Sequence, residues 1–185
     1  MNISLAESYL LGLSILLLII AILVGRQLLR TRADELKLSK LEKNSSSSKE
    51  DAGELYELAS VQLRKRLYPQ ATSTLREALK QLENEPTEAK ALIENALGFS
   101  LAAQNDFKSA ITHYKTAIKA KANYPVAINN LAFAKQRLME TNEAYALYIK
   151  VLEIDPTNKT AIKEAKKLER IINEDLKNSP IKKGF

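Results

Sequence analysis

The sequence predicts an all-α protein: an N-terminal transmembrane helix, then an α-solenoid of three helix pairs closed by a C-terminal capping helix. Three observations predict it. Residues in the centre of the chain recur with a step of 34, an uncharged apolar run stands near the N-terminus, and an amphipathic stretch rich in Lys, Glu and Arg follows the last repeat.

The repeat carries most of the argument. Leu97-Gly98 recurs as Leu131-Ala132, Ala110 as Ala144, Tyr114 as Tyr148, Ala117 as Val151, Asn95 as Asn129 and Phe99 as Phe133. A self-match at this period, with small residues set among large apolar ones, marks stacked helix pairs. Gly98, Ala110, Ala117, Ala132 and Ala144 lack bulk, so neighbouring helices can approach. Leu97, Tyr114, Leu131 and Tyr148 fill the space between them. No pair can bury its apolar face alone, so the pairs stack. A weaker copy stands at Leu55, Leu58, Ala59, Ala71, Leu75 and Ala78; the step from Ala71 to Ala110 is 39, five more than the period. The extra residues are expected near Glu85–Lys90, around Pro86, as a longer connection. The pairs are therefore placed at residues 52–85, 91–124 and 125–158. Residues 159–176 form the capping helix, with Ile162, Ala165, Leu168, Ile171, Ile172 and Leu176 on its inner face, and residues 177–185 form a flexible tail.

Residues 1–25 read as a membrane anchor. No charged residue stands between Ser8 and Gly25, and twelve of the fifteen residues from Leu10 to Val24 are Leu, Ile or Val. As a helix this run spans roughly 27 Å, close to the hydrocarbon thickness. Gross insertion is worth on the order of −4 to −7 kcal/mol. A cleaved signal would need a basic start and a small-x-small site; here Glu7 precedes the run and Gly25-Arg26-Gln27 follows it. Arg26, Arg30 and Arg32 come just after the span, which sets the C-terminal domain on the cytoplasmic or stromal side by the positive-inside rule. Residues 26–51 read as a basic helical stalk running into a Ser-rich linker at Asn44–Lys49.

Composition narrows the chemistry. The chain has no Cys, which excludes disulfides and thiolate metal sites. The net charge of +6 is mild and spread out, without the dense basic tract interleaved with aromatics that a nucleic-acid surface needs. His113 stands alone among Lys and Thr, and the Asp and Glu residues alternate with Lys as solvated helix faces do. No Gly-rich phosphate loop is present. The residues predict no enzyme, no catalytic, cofactor-binding or metal site, no nucleic-acid partner and no small-molecule substrate.

Leu97, Gly98, Leu101, Ala110, Tyr114 and Ala117, then Leu131, Ala132, Ala144, Tyr148 and Pro156, resemble the tetratricopeptide repeat (TPR) family. The resemblance implies a concave groove lined by the first helix of each pair. Its protein-binding positions, carried onto this chain, are Tyr56, Ser60, Asn95, Phe99, Ala102, Asn129, Phe133 and Gln136, with Lys163, Lys167 and Arg170 of the capping helix as a basic end. The resemblance casts Asn95 and Asn129 as free amides for a peptide backbone, so replacing both with Ala is expected to weaken binding and spare thermal stability. One TPR subclass grips chaperone tails by their terminal carboxylate with Lys and Asn. Asn130 fits that set, but Tyr56 and Ser60 stand where Lys and Asn are wanted, so chaperone-tail binding is not expected.

Three blocks sharpen the resemblance. The first is Val24–Arg32 running into Glu35–Leu41, directly after the apolar run. The second is Glu54–Ala59 with Tyr68-Pro69-Gln70-Ala71. The third is Asn95–Phe99 with Ala110-Ile111 and Val126–Ala132. Together they resemble the membrane-anchored TPR-containing photosystem I assembly protein family of cyanobacteria and plastids. Lys135 and Ala122 depart from the pattern, standing where a large apolar residue and a Pro are usual. The resemblance implies a single-pass thylakoid protein that binds photosystem I subunits or assembly intermediates and needs no cofactor. A general membrane-anchored TPR adaptor for another complex is the alternative.

Overall fold

The structure is a computed structural model that describes residues 5–45, 51–82 and 87–178. The chain divides into two units, Met1–Ser48 and Lys49–Phe185. The first holds a single unbroken helix, α1, Leu5–Ser45. Within it, Tyr9–Leu29 is long and apolar enough to cross a membrane, the one such stretch among the described residues. Ser14, the only hydroxyl between Leu10 and Val24, donates to the Leu10 carbonyl at 2.9 Å, so the apolar run carries no unpaired hydroxyl. Asn44 and Ser45, expected in the linker, are the last residues of α1. Ser46–Lys49 and the tail beyond Asn178 lie outside the described residues.

The second unit is helical throughout its described residues. Its helices are α2 (Ala52–Arg64), α3 (Tyr68–Lys80), α4 (Thr87–Ala103), α5 (Phe107–Ala120), α6 (Pro125–Arg137), α7 (Thr141–Ile154) and α8 (Lys159–Asn178). Each packs on the next, and the first helices of successive pairs also touch, α2 on α4 and α4 on α6. One apolar cluster joins the first two pairs and takes in Leu131 and Ala134 of the third. A second joins the third pair to Ala161, Ala165 and Leu168 of α8. Ile118 and Leu147 pack against both. Burial therefore runs across repeat boundaries, as stacking demands.

One correction concerns the connection around Pro86. Thr87–Lys90 are not loop but the first turn of α4, which has 17 residues where α2 and α6 have 13. Most of the five-residue excess thus lengthens a helix, where each added residue gains a backbone hydrogen bond.

Local chemistry sets the helix ends. Asp51 Oδ1 accepts from the Glu54 amide at 2.8 Å, Asp106 Oδ1 from Ser109 at 3.1 Å, and Asn158 Oδ1 from Ala161 at 3.1 Å. Pro125 opens α6, where its missing N–H costs nothing. The three turns inside the pairs share one geometry. Arg66, Asn105 and Met139 have φ of 61°, 65° and 62°. The amides that follow them, of Leu67, Asp106 and Glu140, donate to Gln62, Leu101 and Lys135, closing each first helix in a Schellman turn. An L-residue with a Cβ in this region costs about 1–2 kcal/mol, least for Asn. Arg66→Gly and Met139→Gly should each stabilise by about 1 kcal/mol, raising the thermal midpoint a few degrees. Asn105→Gly should gain less. A calorimetric scan of the three variants checks this.

Between the first two pairs lies a directed polar chain. Gln104 Nε2 donates to Thr72 Oγ1 (2.9 Å), Thr72 to Ser100 Oγ (2.8 Å), and Ser100 to the Tyr68 carbonyl (2.8 Å). Ser100 is fully buried, so these bonds fix the register of α3 against α4 at a site where an unmade bond would be costly. Lys135, where an apolar residue is usual, keeps its stem covered and carries its ammonium to Glu140 and to Glu143 (2.8 Å), tying α6 to the start of α7. The hydrogen bond to Glu140, then that to Glu143, holds the Lys135 pKa above the ordinary lysine value.

Candidate protein-binding groove

Phe99 and Phe133 stand on the first helices of successive pairs, each with just under half of its surface exposed (44% and 45%). Their rings are held from the side. Phe99 meets Tyr68 edge-on with centroids 6.5 Å apart, and Phe133 meets Phe107 edge-on at 6.2 Å. Between them opens a pocket of about 270 Å³, lined by Phe99, Ala102, Ala103, Asn105, Tyr114, Asn130, Phe133 and Arg137. Ala102 is 9% exposed and belongs to the core cluster, so it forms part of the floor, not a contact rim. The Arg137 guanidinium lies 4.7 Å from the Phe107 ring centroid and 5.8 Å from that of Phe133.

The structure brings Phe99, Ala102 and Phe133 to one pocket and disperses the other expected positions. Tyr56 lines a second pocket of about 300 Å³, with Asp51, Ala52, Gly53, Ala89, Leu92 and Ile93. Ser60 returns its hydroxyl to the Tyr56 carbonyl at 2.8 Å. Gln136 donates to Glu164 and accepts from Tyr148, both at 3.4 Å. Lys163, Lys167 and Arg170 are exposed on α8 and line neither pocket.

The amides change role. Asn95 Nδ2 donates to the Tyr124 hydroxyl at 3.4 Å, while its Oδ1 accepts from Asn130 at 3.0 Å. Asn129 Nδ2 donates to Asn158 Oδ1 at 3.1 Å, and its own Oδ1 is buried without a partner among the described residues. The bonds 95 to 124 and 129 to 158 span the same sequence distance, so they repeat with the solenoid. Each ties a first helix to the residue just before the next one. Burial raises the Tyr124 pKa, with a further push from Tyr56, while the bond from Asn95 opposes both. The two Asn residues are thus inter-repeat ties. The double Ala variant, expected from the resemblance to keep its stability, should instead lose about 1–3 kcal/mol. A thermal midpoint lower by several degrees is the expected reading.

Four pocket residues escaped the sequence: Ala103, Asn105, Arg137 and Tyr114, the last assigned there to packing alone. Asn130 appeared only as part of an incomplete clamp. Arg137 follows Phe133 by four residues on one helix and so shares its face, a spacing from which it could have been found. His113, which the sequence sets among Lys and Thr like a solvated surface histidine, is not one. It is half-buried, and its Nδ1 lies 2.7 Å from Oε2 of the buried Glu94, pinning α5 to α4.

Stacked pairs with this period, these small-residue crossings and a first-helix groove define a TPR protein. The first TPR of Spaghetti (RPAP3), solved with an HSP90 peptide, superposes with a TM-score of 0.61 at 20% identity, covering 66% of this chain and 95% of that one. No family model matches the chain. It is 30% identical to the ycf37 protein of Cyanophora paradoxa over 166 residues, 89% of this chain and 95% of that one, and it belongs to the ycf37 family. It is also 33% identical over 160 residues to the chloroplast TPR protein PYG7 of Arabidopsis thaliana, covering 86% of this chain and 53% of that longer one. The fold is that of TPR domains.

Proposed function

We propose that the protein is a membrane-tethered, non-enzymatic scaffold that holds photosystem I subunits or assembly intermediates on its TPR groove while the complex is built or stabilised. One observation carries the reading: a single chain joins a helix of membrane-spanning length to a repeat groove with an open apolar pocket. A tether confines the groove to the membrane plane and raises its effective concentration near membrane-embedded clients. Arg26, Arg30 and Arg32 follow the apolar stretch and Glu7 precedes it, which supports a cytoplasmic or stromal groove on a single-pass thylakoid protein. The similarity to a chloroplast protein fits a photosynthetic membrane.

Two measurements test the reading. Alkaline carbonate should leave the protein in the thylakoid pellet; release into the supernatant argues against a spanning helix. Affinity isolation from solubilised thylakoids should bring down photosystem I subunits. An eluate with none of them, holding another complex, would make the protein a general membrane adaptor.

A further inference from the structure

We infer that the pocket between α4 and α6 selects an extended, acidic client segment, seating one aromatic or branched apolar side chain between Phe99 and Phe133 with a neighbouring carboxylate on Arg137. The inference rests on the scaffold reading and gives the chemistry of the client at one position.

The pocket has three parts. Phe99 and Phe133 form its apolar walls, and about 270 Å³ is room for one large side chain but not for a folded element. Both rings are fixed by edge contacts with Tyr68 and Phe107, so little side-chain freedom is lost when a ligand enters. The third part is a cation. Arg137 lines the pocket, and among the described residues no carboxylate pairs with it. Its guanidinium rests on two aromatic faces, which orients its donors for a planar, two-point bond to a carboxylate.

The neighbouring polar groups support the same geometry. Asn130 donates one side-chain N–H to Asn95, and its Oδ1, with no partner among the described residues, can accept from a peptide N–H. Among the described residues no acidic side chain lines the pocket. Charge complementarity therefore selects an acidic segment over a basic one.

The test uses the full-length chain in nanodiscs and short fluorescent peptides with Asp-Phe-Asp, Lys-Phe-Lys or Asp-Ala-Asp between Gly-Ser flanks, read by anisotropy. Asp-Phe-Asp should bind at least about tenfold more tightly than either of the others. Arg137→Glu should abolish or invert the charge preference with its circular dichroism unchanged, and Arg137→Lys, which keeps the charge but not the two-point bond, should keep its sign at reduced strength. Equal binding of the three peptides, no measurable binding of Asp-Phe-Asp, or an unaltered preference in Arg137→Glu would overturn the inference. Photosystem I subunits that co-elute undiminished with Arg137→Glu would overturn the pocket and leave the scaffold standing. Their absence from the eluate of the unaltered chain would overturn the scaffold, while the peptide series still decides what the pocket prefers.

Discussion

Gly98→Leu should lower the thermal midpoint of the repeat unit by on the order of 10 °C, the largest stability loss expected of any single change here. A Cβ built on Gly98 would lie 2.7 Å from Cδ1 and Cε1 of Tyr114, far inside contact distance. The ring cannot yield. Tyr114 is 1% exposed within the core cluster, and burial pushes its pKa far above the ordinary phenol range. A leucine must therefore expel the ring or part α4 from α5. Overpacking alone costs about 1–3 kcal/mol, and loss of the ring's packing costs about 3–5 kcal/mol. Against a total stability of about 5–15 kcal/mol, this is a large fraction. The third pair supplies the control, because Ala132 stands at the equivalent place and is accommodated with Tyr148 in one cluster. Ala132→Gly should cost about 1 kcal/mol, the ordinary helix penalty of glycine. A circular-dichroism melt of Gly98→Leu within a few degrees of the parent would place the helix crossing elsewhere.

The second large effect is on binding. Phe99→Ala combined with Phe133→Ala should reduce capture of clients by at least about tenfold while the repeats stay folded. Each ring keeps nearly half its surface in solvent, so the hydrophobic cost of truncation is about 1 kcal/mol each, plus a similar loss of edge contact. The walls of the pocket disappear, and Arg137 loses one of its two aromatic supports. Co-purification from solubilised membranes and a parallel melt separate the two effects. Client capture undiminished, with the rings gone, would move binding to another surface.

The fold was legible because its constraints recur. Gly98 and Ala132, or Tyr114 and Tyr148, answer one steric demand in successive pairs, so the period shows it. Other constraints recur in geometry but not in residue type. Arg66, Asn105 and Met139 occupy one left-handed position, yet they share no chemistry and none is the Gly that usually marks it. The extra residues near Pro86 were visible as a count, but a count does not say whether they loop out or extend α4.

The groove was legible only in part, for a physical reason. The step of 34 shows that Asn95 and Asn129 are equivalent; it does not show what their amides meet. Tyr124 and Asn158 stand just before the next first helix and Asn130 lies in the following repeat, so these partners depend on how the pairs stack. The same holds for Glu94 and His113, which sit on adjacent helices and meet only after packing. Phe99 and Phe133 entered the candidate groove because the TPR resemblance sets its positions at fixed offsets on the first helix of each pair, and both rings are half-exposed there. Arg137 was overlooked because an arginine at the end of a helix resembles any solvated residue until its neighbours Phe107 and Phe133 are in place.

Site-specific photo-crosslinking tests the central claim most directly. With Phe133 replaced by a benzophenone amino acid in the full-length protein, illumination of intact thylakoids should join it to a photosystem I subunit. The same group at the exposed Lys115 on α5 should give little product. Crosslinks formed at Lys115 and not at 133, or products containing no photosystem I subunit at either position, would contradict the account.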